Sequence, residues 1–210
     1  MTANLRIERV EISLGERRLI DLSATVAPGA VLTVMGPSGS GKSTLLAYIA
    51  GFLEPPFRAK GRIFIGEREI TDLPANERRT GLLFQDPMLF PHMSVGDNLL
   101  FAIAAGGGHR QRRGIAEAAL AEAGLDGFFD RDPATLSGGQ AARTALMRVL
   151  VSQPQALLLD EPFSRLDADL RGQIRAFVFA EAVERRLPVL LVTHDEADAR
   201  AAGGPVVVLE

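Results

Sequence analysis

GPSGSGKST, residues 36–44, is the stretch of sequence that decides the fold. An apolar run rich in β-branched residues precedes it over residues 30–35, and a helical pattern over residues 42–50 follows it until Gly51. Its glycines let the backbone curl tightly enough to direct several N–H groups at one phosphate, and the N-terminus of the following helix adds positive potential. The stretch therefore predicts a strand, a phosphate-binding loop and a helix.

Every residue of this loop is a candidate nucleotide ligand: Gly36, Pro37, Ser38, Gly39, Ser40, Gly41, Lys42, Ser43 and Thr44. We expect Lys42 to contact the β- and γ-phosphates, Ser43 to offer its hydroxyl to Mg²⁺, and Thr44 to support the phosphate side. The alternative is a chance Gly/Ser turn before a helix. Because all the fixed positions of the motif are filled and an apolar strand precedes them, the phosphate loop is favoured.

A second motif, ALLLDEP at residues 156–162, places two carboxylates at the end of an apolar strand. Parallel strands deliver ligands to one edge of a sheet. We expect Asp160 to hold Mg²⁺ through water. Adjacent side chains on an extended chain diverge, so Glu161 is better assigned as the base that orients or deprotonates the attacking water. The alternative is an acidic pair that caps a helix.

Two further polar residues follow predicted strands. His194 comes after the strand at residues 189–192 and Thr193, so we expect it at the sheet edge, where it can donate to a γ-phosphate oxygen. Gln85 closes the strand at residues 81–84, and its amide could meet the metal or the water while the adjoining segment moves. Taken singly, each is ordinary: an inert surface histidine and a glutamine at the start of a loop.

The rest of the pattern alternates strands and helices, which implies a mostly parallel sheet covered on both faces. Residues 5–14 and 19–26 alternate charged and apolar residues and predict a small antiparallel sheet. The later predicted strands cover residues 62–65, 81–84, 156–159, 189–192 and 206–209. The later predicted helices cover residues 116–123, 167–186 and 196–201, with another beginning near Ser137. Residues 54–61 and 104–114 are predicted loops.

The chain is expected to form one α/β domain, residues 1–210, with an insertion. From residue 85 to residue 147 the sequence pattern changes to predicted helical segments that are interrupted by Gly and Pro. We therefore expect a core of residues 1–84 and 148–210, which includes the N-terminal antiparallel part, and an inserted helical subdomain at residues 85–147. The basic cluster within residues 109–113 is better explained as a solvated loop and helix start than as a nucleic-acid patch.

Composition excludes several classes of function. The 210 residues carry 23 Lys+Arg against 26 Asp+Glu, a net charge of −3, which gives no bulk attraction to nucleic acid or to an anionic membrane. Cysteine is absent, which excludes a disulfide framework or thiol nucleophile and suits the cytoplasm. Residues 1–10 lack the apolar centre of a signal peptide, and the longest apolar runs are too short to cross a bilayer. We expect any membrane role to come through a partner.

LSGGQ, residues 136–140, is a serine and two glycines at a helix start, again an anion-binding arrangement. A chain with one phosphate loop has no second nucleotide to offer it. Together with GPSGSGKST, Gln85, ALLLDEP, residues 164–167 and His194, in this order and across nearly the whole chain, it resembles the ATP-binding cassette subunits of ABC transporters.

This resemblance implies a P-loop NTPase core and a working dimer. Two subunits would sandwich two ATP molecules, with Mg²⁺, so that one subunit's LSGGQ touches the γ-phosphate held by the other's loop. The implied nucleotide contacts are Ser137, Gly138, Gly139 and Gln140. Asp167 would couple the two sites across the interface. The partners implied are a second copy or a homologous cassette, a transmembrane permease and, indirectly, an extracytoplasmic solute-binding protein, with the chain peripheral on the inner face of the membrane.

The stretch FQDPMLFPHMSVGDN, residues 84–98, looks like that of importer-type cassettes. Residues 89–93 would then receive a coupling helix of the permease, although ordinary subdomain packing explains Leu89, Phe90 or Met93 equally well taken singly. The chain departs from the family at Leu14, where an aromatic residue usually stacks on adenine, and at Arg165, where a small residue is common. Since the chain stops at Glu210, we expect no C-terminal regulatory domain.

Three rival functions are weighed against a solute importer. The same cassette could serve an exporter; a gene for a solute-binding protein next to the gene for this chain would favour import instead. A soluble cassette acting on DNA or the ribosome would need long coiled coils or two cassettes in one chain, and the charge is wrong for polyanions. A nucleotide-binding module without turnover is disfavoured by Glu161 and His194. The transported solute is not written in this chain.

Overall fold

The computed structural model describes residues 3–209 and contains nine strands, six α-helices and two short 3-10 helices within that range. The strands are β1 (Leu5–Leu14), β2 (Arg17–Val26), β3 (Val31–Met35), β4 (Phe57–Ile65), β5 (Arg68–Glu69), β6 (Thr80–Leu83), β7 (Ala156–Asp160), β8 (Val189–Val192) and β9 (Val206–Val208). The helices are α1 (Lys42–Ala50), α2 (Val95–Ala102), α3 (His109–Glu122), α4 (Gly138–Leu150), α5 (Ala168–Glu184) and α6 (Glu196–Ala202). Glu210, the expected chain end, lies outside the described residues.

The strands form two sheets. The first is antiparallel, in the order β2-β1-β4-β5, and the second is parallel, in the order β6-β7-β8-β3-β9. In the parallel sheet β8 lies between β3, which leads into the phosphate loop, and β7, which ends in Asp160. The carboxyl ends of these strands therefore share one edge, as the motif positions predict.

The parallel sheet is covered on both faces, which explains why its strands are continuously apolar. Along β7, Leu157 and Leu159 belong to the core formed with α2 to α5, whereas Ala156 and Leu158 belong to the core under α1 and the antiparallel sheet. All four side chains are fully buried. The strand is thus held from two sides, and this fixes the direction in which its last residue leaves the sheet.

Two predicted loops are partly wrong. Strand β4 begins at Phe57 rather than at residue 62, because residues 57–60 pair with the far half of β1; the pairs shift register around Gly61, whose φ is +101°. A Cβ on Gly61 would lie 2.4 Å from the Arg9 carbonyl oxygen, so glycine is required there. Helix α3 begins at His109, inside the predicted loop of residues 104–114, because the Arg112 guanidinium anchors it to carbonyls at the end of α2.

Within residues 3–209, each helix is too short or too polar to cross a bilayer.

Candidate nucleotide site

The phosphate loop has a backbone that only small residues permit. Gly39 and Gly41 have φ values of +81° and +93°, in the left-handed region that glycine adopts without strain. A Cβ on Gly41 would lie 3.1 Å from the Leu19 Cβ, and one on Gly36 would lie 2.8 Å from the Ser40 Oγ. The Ser40 Oγ is itself buried and makes no hydrogen bond within residues 3–209. The loop is therefore a tight cradle with an unused polar atom, which suits a phosphate group.

Lys42 lies inside this cradle. Its side chain is 6% exposed, and Nζ donates to the carbonyl oxygens of Gly36, at 2.9 Å, and Pro37, at 2.8 Å. These charge-assisted bonds hold the loop around the ammonium group and use two of its three N–H donors. The positive charge is thus fixed at the start of α1, where the helix N-terminus adds to it.

Ser43 and Asp160 meet across the sheet edge. The Ser43 Oγ donates to the Asp160 Oδ1 at 2.9 Å, which joins the first turn of α1 to the end of β7. Burial raises the pKa of Asp160, the Ser43 hydrogen bond opposes this, the negative charge of Glu161 adds to it, and Lys42 lowers the pKa. A hydroxyl and a carboxylate oxygen this close are ligands that Mg²⁺ prefers. The donor set therefore fits a magnesium ion.

Glu161 and His194 are also in contact. The Glu161 Oε2 lies 3.1 Å from the His194 Nδ1. Glu161 has a left-handed backbone, φ +46°, held because its N–H donates to the Val192 carbonyl at 2.9 Å. His194 is 61% exposed and, with Gly36 and Arg200, lines an open cleft of about 780 Å³. A carboxylate and an imidazole thus stand at the edge that carries the phosphate loop.

LSGGQ lies on a different part of the molecule. Ser137 caps α4 through a reciprocal pair of hydrogen bonds: its Oγ accepts from the Gln140 N–H at 3.3 Å, and its N–H donates to the Gln140 Oε1 at 2.9 Å. A Cβ on Gly139 would lie 2.6 Å from the Leu170 Cδ1, so the start of α4 packs closely on α5. Ser137 and Gly138 remain exposed.

Gln85 and the segment at residues 164–167 lie with LSGGQ. Gln85, Gly138 and Arg165 line a cavity of about 200 Å³, and the Arg165 guanidinium pairs with the Asp86 carboxylate. Asp167 caps α5, where its Oδ1 accepts from the Leu170 N–H at 3.0 Å. Among the hydrogen bonds of residues 3–209, none joins residues 137–140 to the phosphate loop.

The predicted residues thus form two groups. Lys42, Ser43, Asp160, Glu161 and His194 converge at one sheet edge. Gln85 lines the cavity beside Gly138, and Asp167 and residues 137–140 lie at the starts of α5 and α4. Arg171 was not among the predicted site residues, although it donates to Asp195, the residue after His194. Arg171 and Arg175 are four residues apart and lie on one face of α5. From sequence alone, such a pair is interpreted as two solvent-exposed charges.

Comparison with known proteins shows consistent similarity. Residues 19–164 match the family described as "ABC transporter". The chain is 48% identical over 198 residues to "Uncharacterized ABC transporter ATP-binding protein YnjD" of Escherichia coli (strain K12), with 94% of this chain and 91% of that protein covered. It is 45% identical over 193 residues to "Fe(3+) ions import ATP-binding protein FbpC 1" of Rhizobium meliloti (strain 1021), with 90% of this chain but 53% of that protein covered. The chain thus spans about half the length of the latter relative.

Among solved structures, the chain is similar to one described as "Dimeric structure of a post-hydrolysis state of the ATP-binding cassette MJ0796 bound to ADP and Pi". The TM-score is 0.78 at 30% sequence identity, and the match covers 98% of this chain and 94% of the other. The predicted α/β fold class, with an antiparallel sheet, a parallel sheet and helices, is confirmed.

Proposed function

The chain belongs to the ABC transporter family as an ATP-binding, ATP-hydrolysing subunit, and from this premise we propose that two copies close on two ATP molecules to drive solute import through a separate permease. The observation that carries the site assignment is the convergence of Lys42, Ser43, Asp160, Glu161 and His194 at one sheet edge. We propose residues 1–84 and 148–210 as the core that holds this site, and residues 85–147 as the helical subdomain.

Each residue at the edge has a distinct task in hydrolysis. The loop N–H groups and Lys42 bind and orient the phosphates of ATP. Ser43 and Asp160 would hold Mg²⁺ and Gln85 would reach it or the water; the ion, when bound, neutralises charge on the phosphoryl oxygens. Glu161 accepts a proton from the water that attacks the γ-phosphorus, and ADP leaves. His194, beside Glu161, donates to a γ-phosphate oxygen.

The second copy supplies what a single chain lacks. Ser137 caps a 13-residue helix whose N-terminus is exposed, and its hydrogen bonds stay within α4. An exposed helix start of this kind binds anions. We assign residues 137–140 to the nucleotide of the partner copy and Asp167 to the coupling of the two sites. The solved relative in a dimeric state supports this arrangement.

A mixing experiment tests whether the site is shared. A Lys42→Ala chain and a Ser137→Arg chain should each have little ATPase activity alone. In a mixed dimer one site has both defects, but the other combines an intact loop with an intact LSGGQ. We therefore expect mixing to restore turnover. If each site lies within one chain, the mixture will be as inactive as its components.

The permease contact is assigned to an exposed apolar surface around residues 84–101. Met88 is 61% exposed and Phe101 65% exposed, and Phe101 packs edge-on against Phe90 with ring centroids 5.0 Å apart. Leu89 instead packs against the core, as the subdomain-packing alternative predicts for that residue. Exposed apolar patches of this kind mark protein contacts. We propose that this surface, including residues 89–93, receives a permease helix and keeps the chain at the inner face of the membrane.

Import is favoured over export because the FbpC 1 relative is described as an ATP-binding protein for import of Fe(3+) ions. Solute choice would lie with the permease and an extracytoplasmic binding protein. Reconstitution of the chain with its permease in proteoliposomes tests this proposal. We expect ATP, added on the side of the cassette, to drive solute from the binding-protein side of the membrane to the cassette side. Movement in the opposite direction would support the exporter instead.

A further inference from the structure

We propose that Arg171 is a positioning residue that ties the segment facing the partner copy, residues 164–166, to the loop that carries His194. The inference rests on the proposed dimer and on Glu161 and His194 as the hydrolytic pair. Arg171 does not touch the nucleotide edge itself. It acts by holding these two segments in one geometry, so that the position of the first fixes the position of the second.

The contacts of Arg171 run in both directions from α5. Its Nη1 donates to the Asp195 Oδ2 at 2.8 Å. Its Nη2 donates to the carbonyl oxygens of Leu166, at 3.1 Å, and Ser164, at 3.4 Å. The side chains of Arg171 and Asp195 are 28% and 29% exposed, so the ion pair is partly shielded from water. One guanidinium therefore bridges two loops that are about thirty residues apart in sequence.

Hydrogen bonds hold the loop that carries His194 at the residues on both sides of the histidine. The Asp195 Oδ1 accepts from the Ala197 N–H at 2.7 Å, and the Asp195 N–H donates to the Thr193 Oγ1 at 3.0 Å. The Ala197 N–H, followed by the charge of Arg171, holds the pKa of Asp195 below its usual value, so the carboxylate stays ionised. His194 stands between these two fixed residues and meets the Glu161 Oε2 at 3.1 Å.

The other segment returns to Glu161. The Ser164 Oγ donates to the Glu161 carbonyl oxygen at 2.8 Å, and the Ser164 N–H donates to the same oxygen at 3.2 Å. The contacts thus close a ring that runs through Glu161, Ser164, Arg171, Asp195 and His194 and back to Glu161. Through these bonds, a displacement of residues 164–166 would be transmitted to the Glu161–His194 contact.

The planar fork of arginine is what allows this ring. Two separate Nη groups reach the carboxylate and the carbonyls at once, whereas a lysine ammonium is a single centre on a flexible stem. Arg171→Lys should keep the charge near Asp195 and lose the simultaneous hold on residues 164–166. Arg185, the C-terminal cap of the same helix, provides a matched control, because it pairs with Glu122 and Glu181.

The test compares Arg171→Lys with Arg185→Lys in the full chain. We expect Arg171→Lys to lower kcat about tenfold while the KM for ATP stays within about twofold and the melting temperature matches the control, since a mispositioned base affects the chemical step and leaves ground-state binding intact. Equal kcat values for the two variants would overturn the proposal. A raised KM with unchanged kcat would also overturn it.

A double variant separates positioning from general loosening. If Arg171 acts through Glu161, then adding Arg171→Lys to a Glu161→Gln chain should lower the residual turnover by less than about twofold, because the contact it positions is already disabled. A full additional tenfold loss would assign Arg171 a role independent of Glu161 and contradict the ring. If Glu161→Gln alone leaves turnover unchanged, the proposed function fails before this inference is reached.

Discussion

Replacement of Glu161 by glutamine tests the assignment of the hydrolytic base. Glutamine has nearly the same shape, its carbonyl can still accept from the His194 Nδ1, now 3.1 Å from Oε2, and the backbone bond to Val192 is untouched. The change therefore removes proton acceptance with little else. A positioned general base contributes about 10²- to 10⁴-fold. At about 1.36 kcal/mol per decade, the transition state loses about 3 to 5 kcal/mol.

The assay measures phosphate release at saturating ATP, together with the affinity for nucleotide and the melting temperature. We expect kcat to fall at least about 100-fold while ATP binding and melting are preserved, because the loss is confined to the transition state. Glu117→Gln is the control: Glu117 is exposed on α3 and pairs there with Arg113 at 2.8 Å. Turnover within a factor of about two of the unmodified chain would refute the assignment of Glu161 as base.

Three other substitutions give independent readouts. Asp160→Asn should raise the melting temperature of the metal-free protein at neutral pH, and this gain should disappear as the pH falls. Burial raises the pKa of Asp160, so its stabilising neutral form is lost as the pH rises through that pKa, whereas asparagine stays neutral. Thermal melts at several pH values in a chelator check this, and no gain at neutral pH would contradict it. Leu14→Tyr should lower the KM for ATP by about fivefold or more, since Leu14 is 41% exposed at the end of β1 and an aromatic ring there can stack on the base, a contact of about 1–3 kcal/mol. Steady-state turnover over a range of ATP concentrations measures the KM, and an unchanged value would show that the base does not bind at this surface. Arg78→Met should lower the free energy of unfolding, measured by urea titration, by about 3 kcal/mol or more. Arg78 is 7% exposed and donates to the carbonyls of Leu73, Tyr48, Ile49 and Thr71, and the variant would leave these acceptors unpaired at about 1–3 kcal/mol each. A loss below about 1 kcal/mol would show that these carbonyls find other partners.

Sheet geometry explains which parts of the candidate site were predictable. Parallel strands end at a common edge, so the positions of Asp160 and His194 after apolar runs were enough to place them near the phosphate loop. The glycine spacing in the loop likewise predicted a tightly curled backbone, to which the positive φ values of Gly39 and Gly41 contribute. These features depend on local pattern and on one general rule of topology.

Contacts that depend on tertiary packing were not predictable. The start of β4 at Phe57 follows from pairing with β1. The apolar and charged residues alternate only over residues 57–60, directly after Pro55 and Pro56, which favour a loop. Arg171 joins the carbonyl oxygens of Ser164 and Leu166 to the Asp195 carboxylate, which lies about thirty residues further along the chain, and carbonyls carry no sequence signature. For the same reason, an arginine on α5 could not be told from a solvated charge until the structure placed Ser164 and Asp195 beside it.

The most direct test of the shared site is the mass of the protein in solution with nucleotide bound. Sedimentation of Glu161→Gln should show single chains without nucleotide and a species of twice that mass with saturating Mg²⁺ and ATP. Ser137→Arg in the same background should abolish the heavier species, because a bulky charge would occupy the exposed start of α4. If only single chains sediment with Mg²⁺ and ATP, or if Ser137→Arg leaves the heavier species intact, a nucleotide site completed by the second copy is contradicted.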